Sequence, residues 1–289
     1  MALATPSSVT ETRAATTRYR PSVSFLVGAA VFLFWVAAAV AGRHVVPHDP
    51  FAVQPALMLE PPSAEHVFGT DELGRDVFSR VLVGSRDILT VSFSAALLGT
   101  LFGTLLGLCM GYFRGPFDEL FSRIGEAVIS LPVIIMALVL IAALGRSNPA
   151  LIGVIAFDFM WVVARTIRGA VLQESEKDYI LAAKVRGDSA LFVMVRELFP
   201  NVFPIVIVEF TVRMTFAVFA VANLSFLGFG VQPPAPDWGL LVAESYGSLI
   251  SGEWWVALFP TLAIGSLVIS IYTVANEANR WLSGSSLSS

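Results

Sequence analysis

Glu209 and Arg213 stand four residues apart within an otherwise apolar run of a 289-residue chain. On a helix this is the spacing of an ion pair. An unpaired arginine at mid-bilayer costs about 2.5–3.5 kcal/mol on insertion scales, so a partner or a wet cavity must accompany it. The pair either lines a translocation path or ties its helix to a neighbour or to the interface. Other reactive residue types are placed less suggestively. The three histidines, His44, His48 and His66, share one hydrophilic region outside the apolar runs, and H-E-x-x-H is absent. Ser/His and zinc-protease arrangements therefore lack their parts. The single cysteine, Cys109, lies inside an apolar run and has no partner for an intrachain disulfide. Neither lysine, Lys177 nor Lys184, follows a glycine-rich loop, and G-x-x-x-x-G-K-[ST] is absent, so the chain is not expected to hydrolyse ATP. The expectation is a chain without catalytic residues, metal ligands or a bound cofactor.

Membrane helices are the elements that must hold such a pair. Hydrophobic residues make up 56% of the chain and charged residues 14%, against about 25% charged in soluble domains. Apolar runs at 23–41, 88–113, 124–145, 149–165, 201–224 and 256–276 approach the roughly 20 residues that cross a hydrocarbon core. This predicts an all-α polytopic membrane protein with about six transmembrane helices. A β-barrel would instead alternate apolar and polar residues in short segments. Residues 1–22 read as a disordered basic tail, and 23–41 as a retained first helix, longer than a signal-peptide core. Residues 42–87 form a polar, proline-interrupted extracytoplasmic segment, 88–276 a five-helix core, and 277–289 a second cytoplasmic tail. With the N-terminus inside, the inner side holds twelve Lys and Arg and the outer side five, which places both termini in the cytoplasm. Loop 225–255 then lies outside and segment 166–200 inside. Gly99, Gly103, Gly107 and Gly111 recur every four residues in the second run, a smooth stripe that lets helices pack closely in lipid.

The polar stretch 166–200 interrupts this pattern. From Asp178 it reads D-Y-I-L-A-A-K-V-R-G-D-S. Ile180, Ala183 and Gly187 fall on one helix face, with Lys177, Lys184 and Asp188 on a neighbouring stripe. A small-residue face with a charged flank suits a shallow groove on another protein, although an ordinary surface helix fits the same residues. Gly187 either ends the helix or permits a sharp turn. Pro200 suits the first turn of the fifth membrane helix.

Ala182, Ala183, Gly187 and Pro200 match in spacing the EAA loop of inner-membrane permeases of binding-protein-dependent ABC importers, which this stretch resembles. Leu181 stands where that pattern has Glu, and Glu197 and Phe199 replace its closing Ile and Leu. Phe68 to Arg80 (F-G-T-D-E-L-G-R-D-V-F-S-R), Leu224 to Pro234 (L-S-F-L-G-F-G-V-Q-P-P) and Asp237-Trp238-Gly239 resemble, in order, blocks of the oligopeptide and dipeptide branch. Trp161 to Arg168 resembles its approach to the EAA loop. Over about residues 45–275 the chain is similar to the C-type permeases of that branch, while Ala275 to Arg280 departs from the usual ending.

The resemblance implies a type I importer permease in the inner (plasma) membrane. Its implied partners are a second permease as heterodimer, two cytoplasmic ATPase subunits or domains that carry ATP and Mg, and an extracytoplasmic substrate-binding protein that meets the outer loops. Lipid surrounds it, and no nucleic acid is expected. The implied coupling residues are Asp178, Tyr179, Ile180, Ala182, Ala183, Lys184, Arg186, Gly187, Asp188 and Pro200. Peptides are the implied cargo, with nickel chelates or other small solutes as the alternative. A self-contained secondary transporter would carry an internal repeat, and none is clear.

Overall fold

The computed structural model describes residues 22–285, with side chains through Glu277. Residues 1–21 with their three arginines, and the side chains of 278–289 including Arg280, lie outside the described residues. Among the described residues there is no β-strand, only an isolated bridge between Thr70 and Asp76. Short polar side chains start the helices by accepting orphan N–H groups. Ser22 Oγ accepts from Phe25 N–H at 3.2 Å to open α1 (Val23–Val45). Asp76 Oδ2 accepts from Ser79 N–H at 2.8 Å to open α2 (Val77–Phe113). α3 (Gly115–Ile129) and α4 (Val133–Leu144) follow. Ser147 caps α5 (Asn148–Glu174), with Pro149 in its first turn. The short α6 (Asp178–Val185) leads to α7 (Ala190–Phe226). α8 (Trp238–Glu244), α9 (Tyr246–Ser251) and α10 (Trp255–Ser285) complete the chain.

Among the described residues five helices, α1, α2, α5, α7 and α10, are long and apolar enough to cross a membrane. The expected single span at 124–145 needs correction. It divides between α3 and α4, which meet at 94°. Pro132 is the cause: it offers no N–H to the ladder and disfavours helical geometry at Leu131. With twelve residues, α4 rises only about 18 Å, short of a full crossing on its own. The fourth run is longer than expected, since α5 continues as helix to Glu174.

Contacts define two ends of the bundle. At one end Trp238 Nε1 donates to Val81 O at 2.7 Å, and the Arg146 guanidinium sits 4.9 Å from the Phe229 ring centre. At the other, Arg114 Nη2 donates to Leu172 O at 3.5 Å, next to α6. α3 and α4 together carry the chain from the Arg114 end to the Arg146 end, so the bent pair makes the sixth pass. Ser22 N–H donates to Glu277 Oε1 at 3.3 Å, which brings the start of α1 beside the later part of α10.

α2 and α5 share the most extensive interface. Gly99, Gly103, Gly107 and Gly111 lie along it, each within close reach of α5 atoms. The larger apolar core gathers Ile88, Val91 and Ala95 of α2, Phe159 of α5, Val218 of α7 and Leu267 of α10. A second core lies at the α6 end.

Candidate functional site

α6 is seated in that second core. Ile180 and Ala183 are fully buried against Ile167 and Val171 of α5 and Val193 and Leu198 of α7. The expectation that Ile180, Ala183 and Gly187 form one partner-facing surface is therefore corrected. Small residues mark close packing, and here the close packing is against the chain's own helices. The face left open carries Asp178, Leu181, Ala182 and Val185, at i, i+3, i+4 and i+7. Val185 is 89% exposed and Leu181 48%. Leu191 and Val195, at the start of α7, are also exposed. Leu181, the departure from the EAA pattern, thus lies on the open face.

Gly187 ends α6. Its φ of +82° is left-handed, and two bonds close the turn: Asp188 N–H to Ala183 O at 3.2 Å and Gly187 N–H to Lys184 O at 3.1 Å. This is the Schellman arrangement, in which glycine avoids the Cβ clash of that conformation. Arg186 pairs with Asp188 at 2.8 Å and lies 3.8 Å from Glu197, so the acidic departure at 197 answers a cation on α6. Lys184 does not join Asp188 in a stripe; its Nζ sits 5.3 Å from the Tyr112 ring centre.

Tyr179 links three elements. Its hydroxyl donates to Glu174 at the end of α5 and accepts from Asn201 Nδ2, at 3.0 Å, in α7. Burial, then the bond to Glu174, pushes the phenol well above its usual value, so the donor proton stays in place. Lys177 Nζ also reaches Glu174, at 2.8 Å. α7 begins at Ala190, ten residues before the expected apolar run, with Ser189 as cap. Val193–Leu198 is π-helical, and Pro200 stands in the first α-helical turn after it. Pro200 has no N–H for the Arg196 carbonyl, so the ladder widens just before the proline.

Deeper in the bundle, Arg213 Nε and Glu209 Oε2 are 3.3 Å apart, with side chains 14% and 13% exposed. Arg213 also lies 5.6 Å from the Phe159 ring centre and 5.5 Å from that of Phe216. It lines a cavity of about 300 Å³ between α4, α5 and α7, together with Asp158, Asn223, Phe159 and Phe216. Asp158 sits inside the 149–165 apolar run, and spacing along the chain does not bring it to Arg213. The signal was available, since buried charges in a membrane need partners, and the basic residue of the neighbouring run was the one on offer.

At the opposite end the sequence block 68–80 meets residues 244–248, just beyond the block 224–239. Arg75 Nε binds Asp71 at 2.7 Å, and Arg75 and Arg80 both approach Glu244, at 3.3 and 3.8 Å. Ser248 Oγ donates to Glu72 at 2.7 Å. Trp238 is fully buried, and Asp237 caps α8 by accepting from Leu240 N–H at 3.1 Å. Burial pushes the Asp237 carboxyl up to about 6, against the lowering effect of that N–H bond, with nearby Asp87 adding to the rise. A carboxyl raised in the folded state is stabilising when protonated, below the usual value near 3.8, and that stability is lost as pH rises through about 6. Asp237→Asn keeps the cap without the charge. At pH 7 it is expected to be more stable than the parent chain, by on the order of 3 kcal/mol, and so to unfold at higher temperature. Thermal scans in detergent between pH 7 and pH 4 should show that margin shrinking with acidification; a constant margin contradicts the account.

These features agree with what the chain is similar to. Residues 103–285 match the family model described as binding-protein-dependent transport system inner membrane component. A dipeptide transport system permease protein (DppC) of Bacillus subtilis is 34% identical over 272 residues, 93% of this chain and 84% of its own length. A glutathione transport system permease protein (GsiD) of Escherichia coli O6:K15:H31 is 34% identical over 254 residues, 88% of this chain and 84% of its own. A helical bundle with five long apolar helices and a sixth pass made of two, matched by that family model over most of its length, identifies the chain as a member of the family of inner membrane components of binding-protein-dependent transport systems.

Proposed function

We propose that the chain is one of two permease subunits of an ATP-driven peptide importer, with α6 and both termini in the cytoplasm. The observation that carries the reading is the α6 region. Apolar Leu181, Val185, Leu191 and Val195 are all exposed in and just after α6, among charged residues, and apolar side chains gathered in water mark a docking site. The proposed occupant is a cytoplasmic ATPase. The buried side of α6 packs against α5 and α7, and Tyr179 bonds to both. A displacement of the docked helix therefore passes to two membrane helices with little slack. Between those helices lies the cavity with Asp158, Glu209 and Arg213 nearby. Opposite charges around an apolar hollow suit a zwitterionic, partly apolar solute such as a short peptide. The bistable element is the bundle itself, whose two arrangements are biased by nucleotide at one end and by a loaded binding protein at the other. Dipeptide and glutathione are named for the two relatives, which favours peptides over nickel chelates.

The test is reconstitution of the chain with its second permease, ATPases and binding protein in proteoliposomes. Ligand recovered with the binding protein is identified by mass spectrometry and then supplied for uptake. Accumulated peptide that requires ATP supports the reading. A metal chelate or glycoside as the transported ligand overturns the peptide assignment, and transport without the ATPases overturns the importer assignment.

A further inference from the structure

The segment between α1 and α2 holds a cluster outside the site described above. His48, Glu65 and His66 each offer a ligand atom, and these atoms lie within 4.8 Å of one another. The two imidazole centres are 4.6 Å apart, with ring planes tilted by 36°. Asp76 fixes the chemistry of the pair. Its Oδ2 accepts from Ser79 N–H at 2.8 Å and from Ser79 Oγ at 2.6 Å, while its Oδ1 lies 3.0 Å from His66 Nδ1. An ionised carboxylate only accepts, so His66 Nδ1 carries the proton and Nε2 keeps its lone pair. That Nε2 is buried without a hydrogen-bond partner, in a residue only 3% exposed. His48 Nδ1 is likewise buried and has no hydrogen-bond partner, with Asp76 Oδ2 3.9 Å away. Glu65 is the exposed member, and its carboxylate can reach the cluster from the solvent side.

A histidine whose second nitrogen is held by a carboxylate is oriented and made more basic for metal binding. Two imidazoles and one carboxylate suit a borderline cation that accepts nitrogen ligands. Calcium and magnesium prefer oxygen sets. We propose that His48, His66 and Glu65 form a Zn²⁺ site, with Asp76 as the residue that positions His66. Bound zinc would tie both ends of the proline-rich segment 48–66 together, against the N-terminus of α2 that Asp76 caps. The sequence gives little sign of this, because seventeen positions separate His48 from Glu65 and no compact ligand motif is present. Folding of the loop makes the approach, with Ser63 N–H donating to His66 O at 2.8 Å and His48 N–H donating to Ser79 Oγ at 3.4 Å.

The experiment uses the chain purified in complex with its second permease and ATPases, stripped with chelator and titrated with ZnCl₂ by calorimetry. Zinc content is measured in parallel. One zinc equivalent is expected to disappear in His66→Gln. His48→Gln, at a partly exposed position, should weaken the same equivalent about tenfold or more, and a thermal scan checks that each variant is folded. His44→Gln, the remaining histidine, should leave binding unchanged. X-ray absorption of the zinc-loaded complex should show two imidazole ligands, one fewer in His48→Gln. Absence of a zinc equivalent in the parent complex, or its retention at equal affinity in folded His48→Gln and His66→Gln, overturns the site.

Discussion

Val185→Lys is expected to lower both substrate uptake and binding-protein-stimulated ATP hydrolysis at least about tenfold, with the chain's abundance in the membrane unchanged. Folding and docking make different demands on this position. Val185 is 89% exposed in the isolated chain, so it contributes almost nothing to the chain's own core. It occupies the last position of α6, where a cation interacts favourably with the helix dipole. Lysine there is compatible with the fold. On a docking face the same substitution removes an apolar contact and buries a strongly hydrated ammonium. Losses of 1–4 kcal/mol are common for such central positions, and each 1.4 kcal/mol is tenfold in affinity. Uptake by reconstituted complex, together with co-purification of the ATPases, measures both consequences. Normal uptake with the ATPases retained would mean that the open face of α6 docks nothing.

Much of the architecture is legible in the residues, for identifiable reasons. Apolar run length gives five of the helices because a bilayer sets a length that soluble folds do not. Glu209 and Arg213 pair as their spacing predicts, because the interaction is internal to one helix. The 94° break at Pro132 escapes a reading by run length, because length alone takes the run around Leu131-Pro132 as continuous. Harder to read is which side of a short helix is buried. Ile180 and Ala183 face inward because α5 and α7 supply the covering side chains, and neither helix is adjacent in a periodicity argument confined to 178–188. The cavity shared by Asp158 and Arg213 and the approach of His48 to His66 depend on contacts between distant segments. Single-sequence spacing carries no signal for those.

Gly107→Leu is expected to remove the folded protein from the membrane fraction altogether. A Cβ added at Gly107 would lie 2.7 Å from Ala164 O and 2.9 Å from the Ile167 Cβ. The first of these is backbone of α5, so no side-chain rotation relieves it; the two helices must separate. Separation is costly here because the glycines act in series. Cβ atoms at Gly99, Gly103 and Gly111 would meet α5 atoms at 2.7, 2.7 and 2.6 Å. Lifting α5 at the middle of the stripe forfeits dispersion contacts along its length, and in lipid no hydrophobic force between helices compensates. Overpacking in a tight core typically costs about 1–3 kcal/mol where side chains can adjust, and a backbone clash at the most extensive interface exceeds that range. Gly107→Ala, which adds only the clashing atom, is expected to give reduced but detectable yield. Two glycines of α5 supply the control. A Cβ at Gly153 or Gly169 meets nothing within 4 Å, so Gly153→Ala and Gly169→Ala should leave yield undiminished and raise thermal unfolding slightly, because alanine is the better helix former. Yield and size-exclusion behaviour of the four variants read out the difference. Equal recovery of Gly107→Leu and Gly153→Ala would show that the α2–α5 interface is looser than 2.7 Å approaches allow, and the close transmission of movement from α6 through α5 would lose its physical basis.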